Sequence, residues 1–200
     1  MLEVKDVSIA VDGKTLITNL SFMAKDGQLT CITGKTGVGK TTLLRTLMGF
    51  LPAEDGFVSV DGELLTVRSA HVYRTMMVYL PQACRLLTRQ LVAPAAPTVE
   101  EEEYGVWNSL LPSAVSEQPA EPLSSEDVVR LAEQTLQEAK DKQIVILDEF
   151  ADDLAPEQTT YVLNLLRQSA RAGKTVLVVS CHPQIVGRAD QVINLDLMKR

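Results

Sequence analysis

Aromatic residues are scarce in this chain: Phe, Trp and Tyr together make up 4% of its 200 residues, with one tryptophan. A surface built to stack nucleic-acid bases is therefore not expected. An excess of positive charge is missing as well. Lys and Arg number 19 against 26 Asp and Glu, a formal charge of −7, and no basic cluster stands out along the chain. The electrostatic attraction that drives nucleic-acid binding has the wrong sign. Cysteine is confined to Cys31, Cys84 and Cys181, an odd number without C-x-x-C spacing. That argues against a disulfide framework or a zinc site and fits a reducing, cytoplasmic compartment. No apolar run approaches the ~20 residues needed to span a bilayer. The opening stretch MLEVKDVSIAVDG alternates apolar and polar residues and carries acids, unlike a signal peptide. Work at a membrane would require another chain to cross it.

What is present suits one α/β domain. Hydrophobic residues make up 46%, enough for a buried core with room for a small appended subdomain. Residues 4–10 and 16–24 read as antiparallel strands joined at Asp12-Gly13, and residues 56–62 as a second hairpin turning at Asp61-Gly62. Short apolar runs at 29–33, 144–147 and 175–180 have the pattern of buried parallel strands, and strands at 76–80 and 192–195 complete the set. Helices are expected over 41–48, over a stretch carrying Val128, Leu131, Ala132, Thr135, Leu136 and Ala139 at helical spacing, and over 156–172. Strands alternating with helices imply right-handed βαβ units and a mostly parallel sheet. Composition shifts between Gln90 and Pro122, which hold five of nine prolines and the acidic run Glu100 to Glu103. This is either a small helical insert or a partly flexible one.

Gly34-Lys35-Thr36-Gly37-Val38-Gly39-Lys40-Thr41 matches G-x-x-x-x-G-K-[ST] between an expected strand and an expected helix. Glycines let the backbone curl so that successive N–H groups face phosphate oxygens, and the helix that follows aims its positive end at the same place. The nucleotide-binding candidates are these eight residues with Thr42. Lys40 would reach the β- and γ-phosphates, and the Thr41 hydroxyl would hold Mg²⁺. Ile144-Val-Ile-Leu-Asp148-Glu149 ends a buried strand in two acids. Asp148 is the choice for the Mg²⁺ shell, and Glu149 is placed to take a proton from an attacking water. A lone apolar run ending in two acids only marks a strand end; downstream of a phosphate loop it gains meaning.

With both elements on one chain, the sequence resembles the nucleotide-binding subunits of ABC transporters over nearly its whole length. The resemblance implies an α/β P-loop NTPase fold: a mostly parallel central sheet, an N-terminal antiparallel β-subdomain (1–30 and 56–70) and a small helical insert (83–140), in one domain of 200 residues. ATP and Mg²⁺ are the implied cofactors. Gln82, in Leu80-Pro81-Gln82, would contact Mg²⁺ and a transmembrane partner, and His182, after the apolar run TVLVVSC, would sense the γ-phosphate. Implied partners are a transmembrane permease subunit and a second cassette, as homodimer or heterodimer, at the inner face of a membrane. Tyr104, Trp107 and Leu111 fall on one face of a short expected helix. They would form either a docking surface for that permease or the small core of the insert.

Three departures from the family pattern stand out. The signature Leu-Ser-Gly-Gly-Gln has as its best counterpart Leu123-Ser124-Ser125-Glu126-Asp127, and no glycine occurs between Gly105 and Gly173. In the family that motif grips the γ-phosphate bound by the opposite subunit, where Glu126 and Asp127 would bring negative charge. The same residues suit an ordinary helix N-cap, with Ser124 three residues before Asp127. The aromatic that stacks on adenine is replaced near Val11, which would make an apolar contact at most. The loop after Glu149 reads Phe150-Ala-Asp152-Asp153-Leu154-Ala155, with Ala155 where the family carries Asp and Asp152 or Asp153 as the candidate substitute.

What the chain offers its own nucleotide is complete, and what it offers across a dimer is degraded. Two functions follow as expectations: the ATPase motor of a membrane transport complex, or a regulatory or assembly half that binds ATP and hydrolyses it poorly. A small-molecule kinase fits less well, since it needs no Gln82, Glu149 and His182 together. Cassette proteins of DNA repair or translation carry paired cassettes or long coiled-coil arms, and neither is visible here.

Overall fold

The computed structural model describes residues 1–11, 13–82, 124–151 and 154–198. Two sheets carry the architecture. The first is antiparallel, in the order β2-β1-β4-β5, built from β1 (Leu2–Val11), β2 (Lys14–Ala24), β4 (Asp55–Val60) and β5 (Glu63–Leu64). The second, β6-β7-β8-β3-β9, is parallel throughout: β3 (Leu29–Thr33), β6 (Met77–Leu80), β7 (Ile144–Asp148), β8 (Thr175–Val179) and β9 (Gln191–Asn194). The α/β P-loop architecture expected from the sequence is the one observed.

Burial explains the two sequence textures. Every residue of β7 and β8 is buried, because helices cover both faces of the parallel sheet, so these strands read as continuous apolar runs. β1 alternates, burying Leu2, Val4, Val7 and Ile9. The spacing from Val4 to Val7 breaks the period of two, and a β-bulge accounts for it. Val4 pairs with Phe22 and Val7 with Leu20, so three steps on β1 face two on β2. Asp6 sits in the bulge at φ 52, held by the Ser21 hydroxyl, which donates to its carboxylate at 2.9 Å. The β4-β5 turn is as expected: Asp61 and Gly62 take φ 51 and 85, the conformation that matches strand twist in tight hairpins. Asp12 of the first turn lies outside the described residues.

α1 (Lys40–Leu47), α2 (Ala70–Thr75), α3 (Ser125–Glu138), α4 (Pro156–Arg171) and α5 (Pro183–Val186) complete the described regular elements with two short 3₁₀ turns, Ala139–Asp141 and Leu195–Met198. One core lies between the antiparallel sheet, α1 and one face of the parallel sheet; it includes Leu20, Ile32, Leu43, Ile146 and Val179. The other lies under α3 and α4, with Val128, Ala132, Leu147, Leu163 and Val178. Sequence and structure differ at small elements. Met76, expected to open a strand, is instead the C-cap of α2, and Ser180 and Leu195 fall just past β8 and β9. Neither α2 nor α5, at six and four residues, is long enough to show a period of 3.6. Of the stretch 83–140, residues 83–123 lie outside the described residues, Tyr104, Trp107 and Leu111 among them. No helix among the described residues is long and apolar enough to cross a membrane.

Candidate functional site

Four adjacent parallel strands deliver their C-terminal ends to one edge: Gln82 follows β6, Asp148 ends β7 with Glu149 after it, Cys181 and His182 follow β8, and the loop 34–39 follows β3. Open parallel sheets bind ligands at this edge. Glu149 is tied to the next strand by its N–H, which donates to the Val179 carbonyl at 2.9 Å, and Ser180 is tied to β3 through Ile32 at 3.1 Å. The edge is therefore one hydrogen-bonded rim.

The loop itself is shaped by glycine at two places that need it. Gly39 takes φ 107, and a Cβ there would press within 3.3 Å of Leu16, so the β1-β2 hairpin seats directly on the loop. Gly34 takes φ 149 with Val38 and Leu195 packed against it. Val38 is buried while Lys35, Thr36 and Gly37 are exposed. α1 begins at Lys40 without any side-chain cap hydrogen bond. The first-turn N–H groups of Lys40, Thr41 and Thr42 thus lack the side-chain acceptor most helices supply, and such a terminus favours an anion. Lys35 differs: its N–H already donates to both oxygens of Asp196, at 3.1 and 3.2 Å.

Lys40 reaches back over the loop. Its ammonium donates to the carbonyls of Gly34 at 2.7 Å and Lys35 at 3.1 Å, and it pairs with Glu149 at 2.9 Å. Gln82 donates to the other Glu149 oxygen at 2.6 Å. Thr41 donates to Asp148 Oδ2 at 3.0 Å, and so does the Tyr79 hydroxyl at 3.2 Å. Lys40, Thr41, Gln82, Asp148 and Glu149 are thereby in direct contact, as a chain running from β6 to α1. His182 is on the same edge but outside that chain: it N-caps α5, and its Nδ1 is buried with no hydrogen-bond partner among the described residues. Val11 ends β1, 38% exposed, beside the hairpin turn.

Asp148 is fully buried, and burial pushes its carboxyl above the ordinary carboxylate range. The charge of Glu149 adds to that push, and the Thr41 and Tyr79 hydroxyls and Lys40 oppose it. Among the described residues Oδ1 has no hydrogen-bond partner, a costly arrangement for a buried carboxylate. An unpaired buried oxygen beside a threonine hydroxyl suits Mg²⁺, which takes one or two carboxylates and leaves other positions to water and phosphate. Because folding raises this pKa, the contribution of Asp148 to stability is fully present at pH below its unfolded value and is lost as pH rises through the raised folded value. Above that folded value the buried charge opposes folding. Asp148→Asn, without nucleotide or Mg²⁺, is expected to raise Tm while abolishing Mg²⁺-dependent nucleotide binding; a lowered Tm would contradict this electrostatic account.

The segment 124–127 forms a helix cap. Ser124 Oγ accepts from the Asp127 N–H at 3.2 Å, and the Ser124 N–H donates to Asp127 Oδ2 at 3.3 Å, a complete capping box for α3. The Ser124 hydroxyl also donates to that carboxylate at 2.7 Å. Ser124→Ala is expected to cost about 1 kcal/mol of stability, measured by denaturant unfolding. Leu123, Asp152 and Asp153 lie outside the described residues. Cys31 is inert as a nucleophile, since burial pushes its thiol up to about 12.

Sequence reasoning missed Tyr79 and Asp196. Both act across strands, 69 and 161 positions from their partners, and no local spacing announces such contacts.

A glycine loop between strand and helix, two acids ending a buried strand, and a parallel sheet presenting both at one edge define a P-loop nucleotide-binding protein. A model of the ABC transporter family matches residues 17–162. The chain belongs to the ABC transporter family. It is 30% identical over 201 residues to an ATP-dependent lipid A-core flippase of Burkholderia thailandensis, covering 94% of this chain and 34% of that protein. It is 29% identical to an ABC transporter ATP-binding/permease protein of Mycobacterium tuberculosis, covering 97% of this chain and 24% of the other. The chain thus spans about a third or less of the length of these curated relatives. Among solved structures it resembles a dimeric ATP-binding cassette in a post-hydrolysis state bound to ADP and Pi, with a TM-score of 0.69 at 19% identity over 97% of this chain and 94% of that one. A bacterial Atm1-family ABC exporter with ATP bound gives a TM-score of 0.69 at 18% identity, covering 98% and 37%. At these identities the structural likeness speaks for the fold.

Proposed function

We propose that this chain is the ATP-hydrolysing cassette of a membrane transport complex, with its own half of the ATP site complete and its half of the partner's site degraded. The observation that carries the reading is the contact chain Lys40-Glu149-Gln82 with Thr41-Asp148 at the edge of the parallel sheet.

In this reading the first-turn amides of α1 and the curled loop 34–39 bind the phosphates. Among the described residues Lys40 has three oxygen partners, of which Glu149 alone is a side chain. The phosphate oxygens take the place of Glu149 on the ammonium, and the two backbone carbonyls keep the stem of Lys40 in position. Glu149, released from Lys40, accepts a proton from the attacking water. Thr41, Asp148 and Gln82 would hold Mg²⁺, which neutralises charge building on the transferring phosphoryl group. His182, whose Nδ1 has no hydrogen-bond partner among the described residues, is the polar group left to orient the γ-phosphate or the water. Val11 contributes apolar contact to the base.

The acids at Glu126 and Asp127 and the capping of Ser124 favour a heterodimer in which a second cassette supplies the donors this chain lacks. A permease subunit at the membrane would take the motion. The same two acids favour a second reading, a regulatory half that binds ATP and turns it over slowly. Both readings require nucleotide binding, and equilibrium dialysis with ATP tests that first. One site per chain, with affinity at least ~10-fold better in Mg²⁺ than in EDTA, is expected; a factor of ten corresponds to about 1.4 kcal/mol. No saturable binding, or no dependence on Mg²⁺, would refute the proposal.

A further inference from the structure

The peptide unit joining Gly34 to Lys35 is held on both of its edges. Its carbonyl oxygen, on Gly34, accepts from the Lys40 ammonium at 2.7 Å and from the Cys181 thiol at 3.1 Å. Its N–H, on Lys35, donates to the Asp196 carboxylate through both oxygens. Asp196 is itself placed by the sheet. β9 runs parallel to β3 with Thr33 paired to Asn194, so the residues following each strand leave the rim side by side. The Asp196 N–H donates to Asn194 Oδ1 at 2.9 Å, closing the turn. Leu195 and the Asp196 backbone pack against Gly34, where a Cβ would lie 3.4 and 3.6 Å away.

We propose that Asp196 is a positioning residue for the phosphate-binding loop: its carboxylate orients the Gly34–Lys35 peptide so that the carbonyl faces Lys40 and holds the ammonium where phosphate meets it. The physical basis is twofold. An ionised acceptor forms a stronger hydrogen bond than a neutral one. Charge drawn onto the amide through its N–H makes the carbonyl at the other end a better acceptor, since bonds in a chain polarise one another. Without Asp196 the peptide can rotate about the ψ of Gly34, a conformationally permissive residue, and the φ of Lys35, and Lys40 loses its 2.7 Å partner. The inference rests on the proposed ATP site, because Lys40 must meet phosphate for its position to matter.

Asp196→Ala and Asp196→Asn test it, with calorimetric titration of AMP-PNP in Mg²⁺ into wild type, each variant, and each variant combined with Lys40→Ala. Asn keeps a carbonyl acceptor for the Lys35 N–H and Ala does not. Asp196→Ala is expected to weaken binding by about 10-fold, the low end for a charge-assisted hydrogen bond, and Asp196→Asn by about 3-fold or less. In the Lys40→Ala background neither change should alter binding further, because the ammonium it positions is gone. Thermal melts accompany the titrations, so that a variant that unfolds is recognised, and Asp196→Asn then carries the test. Wild-type binding with Asp196→Ala, equal losses in Ala and Asn, or full additivity with Lys40→Ala would overturn the role of Asp196 while leaving the ATP site standing. Failure of the wild-type protein to bind AMP-PNP would overturn both.

Discussion

Glu149→Gln is expected to lower phosphate release by about 10²–10⁴-fold, the range for removing a positioned general base, while nucleotide binding persists or tightens. The two halves of that expectation come from different contacts. Glutamine fills the same space and keeps an oxygen, but it cannot take the proton of the attacking water. It also carries no charge, and the Lys40 ammonium that Glu149 holds at 2.9 Å becomes easier for phosphate to claim. The side-chain exposures of this pair are 5% and 16%, so the competition takes place where solvent screens poorly. Phosphate release and AMP-PNP titration on the same preparation measure both. Residual turnover within tenfold of wild type would place the base elsewhere; lost binding would mean that Glu149 holds the loop together.

Gly56→Ala is expected to cost about 4 kcal/mol, from roughly 1–2 for a left-handed backbone carrying a side chain and 1–3 for overpacking. The β1 bulge explains the size of the effect. Three steps along β1 from Lys5 to Ser8 face two along β4 from Phe57 to Asp55, and Gly56 lies in the gap at φ 76. A Cβ there would overlap the Lys5 carbonyl oxygen and the backbone of Asp6, groups that cannot swing aside as a flexible side chain does. At roughly 2–4 °C per kcal/mol for a chain of this size, Tm should fall by about 8–16 °C. Gly62→Ala is the control. It has φ 85 and nothing within 4 Å, so it should lose only the backbone share, about 1–2 kcal/mol. Equal losses at the two positions would show that the bulge is not where the strain lies.

The phosphate loop and the acids of β7 were legible because each is contiguous and its chemistry demands particular residues at particular spacing. Gln82 and His182 carried weight only through their order relative to those two elements, and the fold sets all four groups on neighbouring strand ends. The Ser124 cap was visible too, since a capping box spans four consecutive residues. The bulge at Asp6 was not, because nothing in LEVKDVSIAV says which residue of β1 is skipped by its neighbours until both partner strands are in place. Tyr79 and Asp196 were silent for a related reason. Their hydroxyl and carboxylate act on groups brought near by sheet order alone, and any strand end can carry Tyr or Asp for other purposes. The Lys40–Glu149 pair was implied by neither motif separately; it arises because β7 lies two places from β3 in the sheet.

The central claim is that this chain completes its own ATP site and fails only in the segment offered to a partner. The most direct measurement is phosphate release per chain as protein concentration is raised, for the wild type beside Ser125→Gly/Glu126→Gly/Asp127→Gln, which rebuilds the family signature behind Leu123-Ser124. Because glutamine at 127 still fits a capping box, α3 keeps its start. Slow release by the wild type at every concentration, and release at least ~10-fold faster and rising with concentration in the triple variant, is the predicted result; one preorganised donor commonly contributes 10²–10³ in rate. A wild type as fast as the variant would contradict the claim by showing that the segment already serves a second copy, and a variant as slow as the wild type would contradict it by placing the deficiency elsewhere.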